Sequence, residues 1–196
     1  MTSALHFLAL VAILLLPAVA TAQNDPRPED AARLSRYDAA AGDALLQALA
    51  NGAPKDITAL TTALAGEPLP ALDETLQGDW TCRTMKLGGL ADLVVYSPFK
   101  CSFTINDTGF AFEKLTGSQR TRGAIILLDG RAIYLGVGYV AGQNPPAYAD
   151  LPQEFTSDGS VQSDIAILER VSPTRARLLF PSPAVESDFD ILELTR

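Results

Sequence analysis

From Leu76 to the C-terminus the sequence runs as short alternating segments rich in aromatic and β-branched residues, each ended by a turn signal, and this pattern restricts the fold most. It predicts eight strands: Asp79 to Lys86, Phe99 to Ile105, Phe110 to Leu115, Gly123 to Leu128, Ala132 to Val140, Ser163 to Arg170, Arg175 to Phe180 and Asp188 to Thr195. Asn106-Asp107-Thr108-Gly109, Asp129-Gly130 and Ser172-Pro173-Thr174 are the turns between neighbours, and Asp-Gly is the strongest hairpin signal among them. With no crossover helices, consecutive strands pair antiparallel in a meander. About eight strands is the number at which such a sheet closes on itself, leaving an interior filled by side chains or one small ligand. The stretch Ala141 to Gln162, with Pro145-Pro146 and Pro152, is expected as a loop at one barrel end or a lid.

Residues 23–75 read differently. Pro26 and Pro28 precede Glu29 and Asp30, which suit the positive end of a helix, and Leu34, Tyr37, Ala41, Leu45 and Leu49 follow at helical spacing until Gly52 and Pro54. A shorter helix is expected from near Asp56, with Ile57, Leu60 and Leu64 on one face. Two such helices bury little alone, so they must pack on something else. The expected fold is therefore α+β, an N-terminal helical segment packed on a small antiparallel barrel formed by residues 76–196.

Residues 1–22 form an apolar leader whose core, Phe7 to Val19, is too short to span a bilayer and ends in small residues, Ala20 and Ala22 among them, that a signal peptidase reads. Cleavage after Ala22 is expected, giving a periplasmic or secreted protein. The leader also holds His6, the chain's one histidine, so the processed protein has none. Ser-His-Asp catalysis, Cys-His catalysis and the usual zinc sites are then out of reach. Every charged residue follows position 22, and the net charge of −8 argues against nucleic acid or an anionic membrane as partner.

Cys82 and Cys101, the only cysteines, fall on the first two predicted strands. A disulfide is the expected state in an oxidising compartment, and closing this loop is worth about 3 kcal/mol in the chain-entropy picture. The spacing lacks the Cys-x-x-Cys pattern of a redox pair.

Gly78-Asp79-Trp80 opens the first strand and resembles the opening of lipocalin-like barrels, including bacterial periplasmic metalloprotease inhibitors. The resemblance implies that Gly78 and Trp80 close one barrel end with Arg196 packed across the indole. The inhibitors plug their protease with a short extended arm, whereas here a helical region of about 50 residues precedes the barrel. A second resemblance covers most of the chain. Gly78-Asp79-Trp80-Thr81-Cys82-Arg83-Thr84, Val95-Tyr96, Phe99-Lys100-Cys101 and Phe112 to Thr121 are similar to an uncharacterised exported bacterial family, domain of unknown function 4893.

Between Trp80 and Arg122 six basic residues face three acids, although the chain as a whole is acidic. This local excess suits a small anionic ligand or an acidic envelope partner, unless it lines solvated strand faces. Thr116-Gly117-Ser118-Gln119-Arg120 reads as a turn able to offer backbone N–H groups to an anion, with Arg120 and Arg122 as forked partners. The candidate ligand residues are Arg83, Lys114, Ser118, Arg120, Arg122, Tyr139 and Tyr148, the two tyrosines bordering a barrel mouth beside the long loop. Glu186, Asp188 and Asp190 alternate at strand spacing and are expected on a solvated outer face. No catalytic residue, cofactor or metal site is assigned. The expected function is an exported, non-catalytic binding module. The alternatives are an envelope interaction or protease-inhibitor-like protein acting through its surface and, third, a carboxylate hydrolase.

Overall fold

A computed structural model describes residues 25–70, 72–106, 109–152 and 154–196. The leader therefore lies outside the described residues, as does the centre of the Asn106–Gly109 turn. Among the described residues three α-helices, α1 (Pro28–Ser35), α2 (Tyr37–Asn51) and α3 (Pro54–Leu64), precede nine strands: β1 (Gly78–Leu87), β2 (Leu93–Val95), β3 (Phe99–Asn106), β4 (Gly109–Lys114), β5 (Gln119–Leu128), β6 (Arg131–Val140), β7 (Val161–Ser172), β8 (Arg175–Pro181) and β9 (Phe189–Thr195).

Eight of the strands form a closed antiparallel barrel, because β1 pairs with β3 on one side and with β9 on the other. β2 was not expected. It pairs Leu93 to Val95 with Met85 to Leu87, where β3 has already left the edge of β1. The Cys82–Cys101 disulfide staples β1 to β3 just below that divergence.

Strand alternation divides the barrel into two cores. Trp80, Cys82, Phe103, Phe112, Tyr134, Leu168, Leu178, Phe180 and Leu192 point inward and fill the lower interior. Consecutive ring contacts run Trp80, Phe103, Phe112, Tyr134, Phe180, with centroids 4.8–6.1 Å apart. Leu135 and Ile167 belong to the opposite face. With Met85, Leu87, Val137, Ile165 and Ile191 they form an apolar outer wall, which the helices cover. The lower end is closed by Trp80, whose indole donates to Leu76 O at 2.8 Å and whose face meets the Arg196 guanidinium at 4.1 Å.

The helical segment differs from its expected form in two respects. A turn at Arg36 breaks the first helix into α1 and α2. Ala44 and Ala48, not Leu49, lie at the centre of the buried face, because short side chains let α2 approach the barrel closely. The long loop after β6 is no lid: Tyr148 and Leu151 pack into the outer core, and Arg122 donates to Pro145 O at 2.5 Å, so the loop lies along the barrel wall. It also holds the start of α1, since the Arg27 amide donates to Tyr148 Oη and the Tyr148 hydroxyl donates to Asp30 at 2.6 Å. Asp30 in turn pairs with Arg33 and accepts from the Ser163 hydroxyl at 3.0 Å, giving a buried polar latch between α1 and β7.

Candidate functional site at the upper barrel mouth

The inward row of each strand changes character toward the end opposite Trp80. On β1 the sequence Trp80, Cys82 continues as Thr84 and Lys86; on β4, Phe112 is followed by Lys114; on β9, Leu192 is preceded by Asp190. Thr121 of β5 and Asp164 of β7 face the same space. Together they line a cavity of about 80 Å³, rimmed by Arg33, Arg120 and the β8–β9 loop through Pro183 and Val185.

Room for this polar layer depends on glycine. A Cβ at Gly136 would sit 2.1 Å from Tyr134 Oη, and one at Gly138 would sit 2.8 Å from an Asp164 carboxylate oxygen. In the space left, Tyr134 Oη and Thr121 Oγ1 lie 2.7 Å apart and the Thr121 hydroxyl donates to Asp164 at 2.6 Å. Burial pushes both the Tyr134 phenol and the Asp164 carboxyl above their ordinary ranges.

The two lysines differ. Lys86 Nζ donates to Glu186 at 2.6 Å, and Asp190 and Glu186 together outweigh the burial that would lower its pKa, so it is raised. Lys114 is buried and forms no ion pair with any described carboxylate. Its Nζ donates to Gln119 O at 2.7 Å and lies 4.1 Å from the Phe99 ring centroid. Desolvation, then the nearby charge of Lys86 and, less, of Arg120, pushes it down to about 8 against an opposing pull from Asp190. Asp190, half-buried and accepting from Ser187 at 2.6 Å, is pushed up to about 6 by burial.

The β8–β9 loop crosses the mouth. Glu186 joins β1 to β5, its second oxygen accepting from Gln119 Nε2 at 3.2 Å, and it holds a left-handed backbone at φ 73°. Leu90 N donates to Glu186 O and Gly89 N to Asp188, so the β1–β2 turn grips the loop. The expected solvated row of Glu186, Asp188 and Asp190 does not exist: β9 begins only at Phe189, and Asp190 turns into the barrel.

The sequence candidates are not brought to one place. Lys114 and Arg120 border the mouth. Arg83 lies on the outer face in an ion pair with Glu193 at 2.6 Å. Tyr139 and Arg122 stand outside, where Arg122 lies 5.7 Å from the Tyr139 ring and the phenol donates to Glu113 at 3.3 Å. Tyr148 is part of the α1 latch, so neither tyrosine borders the barrel interior. Ser118 is exposed, its carbonyl accepting from the Ala141 amide at 2.7 Å. The turn ends sooner than expected because β5 starts at Gln119, and Arg120 donates back to Gly117 O at 3.3 Å. Gly117 is required there: its φ is 97°, and a Cβ would meet the Phe99 ring at 2.9 Å.

Lys86, Thr121, Asp164 and Asp190 were absent from the expected site. Strand parity was the signal that finds them: once Trp80 and Phe112 face inward, Lys86 and Lys114 must do so too.

Among the described residues no helix is long and apolar enough to cross a membrane, and no cluster of three or more His, Cys, Asp or Glu is arranged to hold a metal ion. No curated protein and no solved structure matches the chain. A family model does match, over residues 23–194, and the chain accordingly belongs to the family described as Domain of unknown function (DUF4893).

Proposed function

We propose that this protein is an exported, non-catalytic binding module that receives a small anionic group in the upper mouth of its barrel. The observation that carries the reading is Lys114: a buried cation on the wall of a cavity, without a carboxylate partner among the described residues. An ammonium left in that state favours an incoming carboxylate or phosphate oxygen, which would supply the missing counter-charge. Arg120 on the rim adds a second positive group. The filled lower interior limits the occupant to a small molecule or to one acidic side chain of a larger partner. Export is supported by the apolar leader and the disulfide, and the Trp80–Arg196 closure supports a lipocalin-like barrel.

The test is a titration of the protein with acetate and with inorganic phosphate, followed by NMR. Saturable shifts at Thr121, Gln119 and the Lys114 side chain that disappear in Lys114→Met support the proposal. Shifts confined to exposed lysines and arginines sink it.

A second reading has its own observation. Outside the barrel, Thr104, Ala111, Glu113, Arg122 and Ala124 floor a groove of about 460 Å³ beneath Ala147 and Tyr148. That surface suits an envelope protein partner, and loss of capture in Arg122→Glu with unchanged acetate binding would favour it.

A further inference from the structure

We infer that Lys114 is a carbonyl-reactive amine, and that the barrel mouth captures a small aldehyde or 2-oxo acid as a reversible Schiff base. This deepens the proposed binding function and rests on the mouth being the site.

The chain has four lysines, and their settings differ. Lys55 and Lys100 are exposed. Lys86 is held as an ammonium by Glu186. Lys114 alone combines burial, a place on a cavity wall and the absence of an ion-pair partner among the described residues. Its nitrogen is fixed from two sides, by the Phe99 ring and the Gln119 carbonyl, and the neighbouring cations Lys86 and Arg120 oppose a further positive charge. Desolvation and adjacent cations are the two conditions that leave a lysine amine neutral and nucleophilic near neutral pH. At pH 8 about half of such a group is unprotonated, against well under ~1% of an ordinary lysine.

The chemistry closes without an external oxidant or reductant. The Lys114 lone pair forms a bond to the carbonyl carbon as the C=O π pair moves onto oxygen, and one of the two nitrogen protons passes to that oxygen to give a neutral carbinolamine. That hydroxyl then departs as water while nitrogen gives up its remaining proton and the C=N bond forms. Asp190, which lines the same cavity from β9 and is pushed up to about 6, is the carboxyl that would supply the departing proton and take up the one nitrogen releases. The groups facing Lys114 that set its protonation are Lys86 on β1, Asp190 on β9 and Arg120 on β5. A cavity of about 80 Å³ admits a compound of roughly two or three carbons, and a carboxylate on that compound would meet Arg120 at the rim.

Glyoxylate, which carries both an aldehyde and a carboxylate, is the probe. The folded protein is incubated with glyoxylate and cyanoborohydride between pH 6 and 9, and each lysine's modification rate is read by peptide mapping. The four lysines serve as controls for one another, so the primary result requires no variant. Modification of Lys114 at least tenfold faster than of Lys55 or Lys100, with a midpoint near pH 8, supports the inference, as does its loss in Lys114→Arg with the others unchanged. Modification that follows exposure, with Lys55 and Lys100 leading, overturns it. The acetate titration separates the two claims: acetate binding without preferential labelling defeats covalent capture alone, whereas failure of both defeats the mouth as the binding site.

Discussion

Glu186 and Lys86 meet at 2.6 Å across the upper end of the barrel, tying the β8–β9 loop to β1, although Glu186 holds a left-handed backbone to reach that position. Glu186→Gln is expected to weaken this tie by about 1 kcal/mol. Because burial of Lys86 persists while one carboxylate is lost, the Lys86 pKa falls, and the stability this pair gives below pH 10.5 shrinks. Faster amide exchange at Leu90, whose N–H donates to Glu186 O, is the check; unchanged exchange and an unchanged Lys86 titration count against a strap.

Lys114→Met is expected to stabilise the protein. The folded state holds this lysine near pH 8 while the unfolded chain releases its proton near 10.5, so the unfolded state binds more protons between those values and stability rises with pH across them. Below pH 8 the native state carries the whole burial cost, up to about 3 kcal/mol, partly offset by the contact with Phe99. Denaturant melts should show the variant ahead by roughly 2–3 kcal/mol at pH 7 and about level with the parent near pH 10. A loss at pH 7 would show that the lysine is better accommodated than its surroundings indicate.

Asp190→Asn tests the opposite sign. The parent carboxyl titrates near 6 when folded and near 3.8 when unfolded, so the native state binds more protons in between and stability falls as pH rises through that window. The variant has no such group. Its stability relative to the parent should climb between pH 4 and 6 by at most about 3 kcal/mol and stay level above. A flat difference curve refutes a carboxyl held above its ordinary range at the mouth.

Asp30→Ala should detach α1. It leaves Arg33 without its charge partner and the hydroxyls of Tyr148 and Ser163 without an acceptor, a loss of about 3–5 kcal/mol. Asp38→Ala, exposed in the first turn of α2, should stay within about 0.5 kcal/mol. Similar effects from both substitutions would remove the latch as a distinct element.

The strands were legible because a half-buried strand must alternate. Each of the eight expected segments coincides with a barrel strand, with starts that differ by up to four residues at Gln119. β2 was not legible, since three apolar residues carry no period. The apolar outer rows on β6 and β7 also hid their direction: with helices outside and aromatics inside, both faces read as hydrophobic, and Leu135 and Ile167 look as inward as Phe112 does.

By itself the sequence determined the antiparallel strands, the bridged cysteines and a helical segment unable to stand alone, because periodicity, turn residues and cysteine count are local properties. Only the tertiary structure decided which basic residues share a site. Closing β9 onto β1 brings Asp190 beside Lys86 and turns Lys114 into the barrel, while the same alternation sends Arg83 and Arg122 outside. The physical reason is that desolvation and charge pairing are set by which strand ends meet, and that follows from barrel closure, which no single segment encodes.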